Sequence, residues 1–446
     1  MEIAASRFIS LGMYICSLFL IAIVFLKGVK YGVLYFLPLI PLRFLFEKMK
    51  ELPLGGDLVD VMVLVLIIGW LFNNKGFEKS GSVKLLILYS FIMLFSLING
   101  YIYLDFGFLG LDDSRLQFWK DYMMMIVIFM IVLNNIDTMD DIKKLVFHIS
   151  IIFLLVCYKF FSDFSDASFD HFSEQTRVAS VFGFLGANHL AAFIVEYMAI
   201  FLTIHYFFKN SRKLKLYYLS VSLLSFYPLL YLYSRAAYIA MLAVLLLLGL
   251  IKDRRILVAA FCVLILWQVI LPRAVVERIE MTTNSSGEIA ETASSGRLTM
   301  WGLAFDTFES HPIFGIGFRS FENMEFADAP TAYKATGRQH TLKNVHNIYL
   351  QTLAEMGLVG IIMLFCIFAA AFRSGWRLYK ASSENFLKGL GLGFSLCVIA
   401  SFITNIFGDR WYILLIQIYF WMFWALVERG LIITKAESSL KEYSTG

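Results

Sequence analysis

Charge is scarce in this chain. Of its 446 residues 16% are charged, against roughly 25% in a soluble domain, and the apolar share is correspondingly above the roughly 45–50% usual there, at 59%. A soluble globule of this size has no interior large enough for that much apolar surface, so secreted, cytosolic and disordered classes are excluded together. Cysteine is also sparse: Cys16, Cys157, Cys262, Cys366 and Cys397 all lie inside apolar runs and none makes a CxxC pair, so neither disulfides nor a zinc site is expected. The net charge of +4 is spread along the chain, with no basic stripe of the kind that grips nucleic acid. No A-x-A-like cleavage site precedes Lys27, and the apolar run from Arg7 to Leu26 outlasts a signal-peptide core; it reads as a first span.

What is abundant is long apolar runs. With mean hydropathy at +0.72, runs of near-membrane length recurring from end to end describe a multi-span membrane protein. They are continuously apolar, whereas barrel strands alternate over about 10 residues. The expected fold class is therefore all-α polytopic, with about 12 (12 or 13) transmembrane helices. Spans are expected near 8–26, 31–46, 58–72, 83–98, 118–133, 142–161, 184–208, 214–233, 236–251, 255–271, 346–372, 386–404 and 411–428. The second is short and holds Pro38 and Pro41, which leaves it a span, a re-entrant segment or an interfacial one. Four regions follow: N-terminal membrane helices (1–183), central membrane helices (184–271), a polar loop domain (272–345), and C-terminal membrane helices with a tail (346–446). The loop domain is too long for a simple connection and is expected to be functional.

Lysine and arginine set the orientation. The loops holding Lys209, Arg212, Lys213 and Lys215, then Lys252, Arg254 and Arg255, then Arg373, Arg377, Lys380 and Lys388 fall on one side by alternation. That side is read as the cytoplasm, which puts residues 272–345 outside and the C-terminus inside. Lys27, Lys30, Arg43, Lys48 and Lys50 leave the side of the N-terminus open.

Arg177, Arg235 and Arg410 then stand at outward ends of membrane segments, where the positive-inside bias does not place cations. Snorkelling explains one such arginine, and Arg410 has Asp409 beside it. Three on one face, with Arg297, Arg319 and Arg338 in the outer loop, point to a shared anion, and the guanidinium fork matches a phosphate or diphosphate. Within the loop, Leu298, Trp301, Phe305 and Phe308 recur at helical spacing after Ser294-Ser295-Gly296 and stop at His311-Pro312. An amphipathic surface helix is expected there, with Arg297 in its first turn. Gly315-Ile316-Gly317 lacks the third glycine of a dinucleotide loop and reads as a turn.

The run from His346 to Phe372 would be about 40 Å long as one helix, longer than a core of about 30 Å. Its first turns project outward, with His346 at headgroup depth and Asn347, Gln351 and Glu355 on one face. No paired carboxylates or His/carboxylate metal spacing occur on the outer side, so no metal and no other cofactor is expected; Asp112-Asp113 reads as a solvated loop.

Arg177 with Gly186-Ala187-Asn188-His189-Leu190-Ala191, Ser234-Arg235, Gly296-Arg297-Leu298 through Trp301 to His311-Pro312-Ile313-Phe314-Gly315-Ile316-Gly317, and His346-Asn347 with Gly357 resemble the O-antigen ligase and O-antigen polymerase family of bacterial inner-membrane glycan transferases. The resemblance covers about the second half of the chain. It implies a GT-C-like membrane fold in the bacterial cytoplasmic (inner) membrane with one large extracytoplasmic loop. It also implies an undecaprenyl-diphosphate-linked glycan donor and a glycan or lipid A core acceptor, with membrane lipids as surroundings. Under it His346 and Arg297 are catalytic, His346 as general base. Arg177, Arg235 and Arg410 hold the diphosphate, and Asn347 and Glu355 belong to the acceptor or cleft. Glu322, Glu325 and Glu355 are rival bases. Repeat-unit polymerase is the favoured reading and ligase the alternative. A lipid-linked glycan transporter fits less well, because 58–72, 236–251 and 255–271 are almost free of polar residues.

Overall fold

The structure is a computed structural model describing residues 2–73, 76–104, 114–164, 171–173, 177–178, 180–208, 211–281, 291–324, 331–333, 339–341 and 344–445. The helices among them are α1 (Glu2–Lys27), α2 (Lys30–Tyr35), α3 (Arg43–Glu47), α4 (Leu58–Phe72), α5 (Gly81–Tyr103), α6 (Ser114–Asn135), α7 (Met139–Phe164), α8 (Ala187–Phe207), α9 (Arg212–Tyr231), α10 (Arg235–Ile251), α11 (Arg254–Ile270), α12 (Arg273–Glu280), α13 (Glu291–Ser310), α14 (Ile348–Ala381), α15 (Asn385–Ile406) and α16 (Leu414–Thr445). Among the described residues, 8 helices are long and apolar enough to cross a membrane: α1, α5, α6, α7, α8, α14, α15 and α16. The number is 9 if α11 and α12, bent by 100° at their junction, count as one span. By length and composition the expected 12 or 13 is not reached, partly because α4 and α10 have only 15 and 17 residues.

The segment 31–46 is not one helix. Pro38 and Pro41 divide it into α2, a 3-10 turn at Leu37–Leu39, and α3. The Pro38 carbonyl accepts a hydrogen bond from the Tyr419 hydroxyl of α16. The basic turns α8–α9, α10–α11 and α14–α15 gather at one end of the bundle: Lys252 lies 3.8 Å from the Phe207 ring centroid, Tyr379 meets Phe207, and Phe208 meets Phe386. Arg373, Arg377 and Lys380 lie in the last turns of α14, not in a loop, because α14 runs on to Ala381.

At the centre are α8, α15 and α16, and their close approach follows from small residues. A Cβ on Gly389 or Gly393 of α15 would come within 3.0 or 2.8 Å of the backbone of α8. On its neighbouring face, Gly391 of α15 meets Gly375 of α14. Lipid is as apolar as leucine, so this contact area, not apolar burial, holds such helices together.

Between residues 272 and 345 the described residues form α12, α13, a 3-10 turn at Phe321–Asn323 and a small antiparallel ribbon, Thr331–Tyr333 with Gln339–Thr341. Helix α13 starts earlier than expected. It begins at Glu291, so Arg297 stands in its second turn. Its buried row is Met300, Ala304 and Thr307, whereas Leu298 and Phe305 are exposed; a helix at a membrane surface keeps large apolar groups outward for lipid. Arg297 falls on the buried row, three residues before Met300.

Helix α14 is broken at Gly357 (φ 60°, ψ −156°). The Leu358 and Val359 N–H groups donate to Pro312 and Ile313 carbonyls, while Ala354 and Glu355 carbonyls accept from Ile316 and Gly317 N–H. The strap 312–317 thus takes over the backbone partners lost at the break, as burial requires. Phe318 N–H bonds onward to the Ser96 carbonyl of α5. The turn expected at 315–317 is this strap, with positive φ at both glycines.

Candidate active site

The start of α14 is built from side chains that satisfy backbone. Asn344 Oδ1 accepts from His346 N–H at 2.8 Å. Asn347 caps the helix, its Oδ1 accepting from Tyr349 and Leu350 N–H at 3.0 and 3.1 Å. The Ile348 N–H donates to the Gly408 carbonyl at 3.0 Å, tying this end to the α15–α16 turn that carries Asp409 and Arg410. His346, Arg319 and Tyr233, which stands two residues before Arg235, all have φ between 51° and 54°. Left-handed backbone at bulky residues costs about 1–3 kcal/mol each and collects at functional sites.

Arg177, Arg235, Arg297 and Arg410 are brought together. Arg177 is held by Asn188 Oδ1 at 2.7 Å and the Leu232 carbonyl at 3.1 Å, so the start of α8 and the α9–α10 turn share one cation. Burial, then the charges of Arg235 and Arg177, pull the Arg297 guanidinium below its ordinary range. Arg410 is 2% exposed and donates to the Thr404 carbonyl. Burial drives it down to about 10 against the opposing charges of Asp409 and Glu196, with Arg297 adding to the depression. Like charges crowded this way favour an anion among them. Arg319 stands apart: its guanidinium lies 3.2 Å from Glu322 Oε2 and 3.8 Å from Asp409 Oδ2, over the Phe118 ring. Arg338 and Glu325 lie outside the described residues.

His346 borders this cluster. Burial lowers its imidazole below the ordinary value; Asp409 opposes, and Arg297 and Arg410 reinforce the drop. Asp409 does not pair with Arg410 in the manner their adjacency suggests. Burial alone would raise its carboxyl, but a 2.9 Å hydrogen bond from Asn344 and the charges of Arg319, His189 and His346 hold it below the usual range. Glu322 is pushed up by burial, against Arg319 and with Asp409.

His346 also lines a cavity of about 740 Å³. His189, Glu322, Asn344, Asp409 and Tyr412 line it near His346, and Asp57, Asp60, Gln117, Lys120 and Asp121 line its far part; Arg177, Arg235, Arg297 and Arg410 do not. Two residues expected in the cleft, Asn347 and Glu355, do not line this cavity. Asn347 is the cap. Glu355 is fully buried, its Oε2 accepting from Arg319 N–H at 2.9 Å and its Oε1 from Gln351 at 3.3 Å. His189, Asn344 and Asp409 are not singled out as site residues by the sequence; membership of His189 in the Gly186–Ala191 block is the one signal pointing to it.

No curated protein matches the chain. Residues 220–365 match the family model described as O-antigen ligase, a stretch that holds Arg235, Arg297, His346, Asn347 and Glu355 and ends before Arg410. That stretch, a third of the chain, carries the O-antigen ligase signature and bears out the resemblance to the O-antigen ligase and polymerase family.

Proposed function

We propose that the protein is a glycosyltransferase that moves a glycan from undecaprenyl diphosphate to a second glycan acceptor outside the cytoplasmic membrane, as a repeat-unit polymerase. The supporting observation is the position of His346, in charge reach of Arg297 and Arg410 and itself lining the cavity of about 740 Å³. The acceptor occupies the cavity, whose carboxylates, amides and Tyr412 suit sugar hydroxyls. His346 takes the proton from the acceptor hydroxyl as its oxygen attacks the anomeric carbon from the face opposite the diphosphate. The anomeric C–O bond breaks with inversion, and undecaprenyl diphosphate leaves with its charge held by Arg177, Arg235, Arg297 and Arg410. These fixed cations stabilise the charge that develops in the transition state. Asn347 and Glu355 act by holding the start of α14 and the strap. The matched family's description also supports a ligase, with lipid A core or protein as acceptor in the same cavity.

The test separates base from clamp. In nanodiscs with lipid-linked donor, His346→Ala should slow single-turnover transfer by about 10²- to 10⁴-fold while leaving donor affinity intact. Arg297→Ala should weaken donor binding and slow transfer together, because its contacts exist before and during reaction. Lysine there should rescue only partly, since it loses the bidentate fork. Near wild-type transfer by His346→Ala would transfer the base role to Glu322.

A further inference from the structure

At the end of the bundle opposite His346, a cavity of about 400 Å³ opens between the first turn of α5, the last turns of α14 and the middle of α16. Its lining holds four cations, Lys79, Arg373, Arg377 and Lys435, and two carboxylates, Glu78 and Glu428. The carboxylates are already engaged. Glu78 lies 3.2 Å from Arg429, which also donates to the Leu133 carbonyl. Glu428, 7% exposed, accepts from the Ser82 and Ser374 hydroxyls. None of the four cations is ion-paired among the described residues, and all four are exposed.

Arg373 lies 25 residues along α14 from Ile348, at most about 38 Å at the helical rise given the break at Gly357, and at the end that carries the α14–α15 turn. A bilayer with its headgroups measures about 40–45 Å, so a cavity at this depth meets the headgroups of the leaflet far from His346. Ala370, Leu431 and Ile432 add an apolar part to its wall. We infer that this cavity is a binding site for the phosphate-bearing headgroup of an anionic membrane lipid, with Arg373 and Arg377 on the phosphate, Lys79 and Lys435 at the rim, and the acyl chains left in the bilayer. Arginines one turn apart on a helix present their forks to one group. Four cations against two carboxylates, one of them already paired with Arg429, leave the cavity a positive surplus that favours a lipid anion, and Glu428, already bonded to two serines, faces the headgroup's hydroxyl or amine donors instead of its phosphate.

Native mass spectrometry of the full-length protein from detergent, with phosphatidylglycerol, phosphatidylcholine or inorganic phosphate added, tests the site. Wild type should retain phosphatidylglycerol in preference to phosphatidylcholine. Arg373→Gln/Arg377→Gln should weaken that retention by about tenfold or more, whereas Arg212→Gln/Lys213→Gln, which removes as much charge elsewhere at the same end, should not. If the arginine pair destabilises the fold, Lys79→Gln/Lys435→Gln, confined to exposed side chains, should show a smaller loss in the same direction. Equal retention of both lipids, or unchanged retention by both cavity variants, would overturn the proposal. Displacement of phosphatidylglycerol by an equal concentration of inorganic phosphate would overturn the lipid assignment and leave a phosphate site.

Discussion

In its proposed role His346 works only while its imidazole is neutral, and burial with the two nearby guanidiniums favours that form. Its folded pKa is lowered from the ordinary imidazole value, so the acid limb of the rate profile should lie at lower pH than a free imidazole would place it. The neighbours give the sign of two shifts. Asp409 stabilises the imidazolium, so Asp409→Asn should carry the acid limb of the single-turnover profile to lower pH. Arg297 destabilises it, so Arg297→Gln should carry the limb to higher pH, whatever either change does to the plateau. Limbs that stay in place in both variants would show that the titrating group is not His346. His346, Arg235 and Arg297 are legible in the sequence because they sit in short motifs. The Asp409 partnership with Asn344 and Arg319 is not, since it joins residues 65 and 90 positions apart, and chain adjacency favours Arg410 instead.

A helix of 34 residues that carries its own break is harder to read. The outward projection of α14 follows from counting its length, but the interruption depends on a strap some 40 residues upstream. Gly357 has backbone angles open to glycine alone, and a Cβ there would stand 2.4 Å from the Ile313 carbonyl carbon. Gly357→Ala should therefore lower stability by at least about 1–3 kcal/mol, read as a fall in the unfolding midpoint in detergent. Gly302→Ala is the contrast: in mid-α13 a Cβ meets nothing within 4 Å, so the change should be neutral or stabilising by up to about 1 kcal/mol. Equal effects at both glycines would remove the strap from the account. Periodicity locates α13 and its end before His311, but an apolar stripe does not say whether core or lipid covers it, and here Leu298 and Phe305 are exposed. Pro38 and Pro41 give fair warning that residues 31–46 are not a plain span.

For the whole molecule, the separation of charge predicts sidedness. The basic turns collect at one end and the arginine cluster at the other, so Ser383→Cys should resist an impermeant maleimide in intact cells while Ser310→Cys reacts. The opposite pattern would invert the proposed topology and place transfer in the cytoplasm. Composition reveals the class of fold, and the positive-inside count correctly groups three turns that the structure gathers together. The number of crossings is less legible, since hydropathy scores short helices such as α4 and α10 as full spans. Helices that cross a bilayer tilt as its thickness changes. Because residues 312–317 are bonded to both halves of α14, and the next residue, Phe318, to Ser96 of α5, the long C-terminal half of α14 cannot act as a lever on the short half above Gly357. His346 begins that short half, and α13 with Arg297 leads into the same strap, so their spacing is insulated from the thickness of the surrounding lipid.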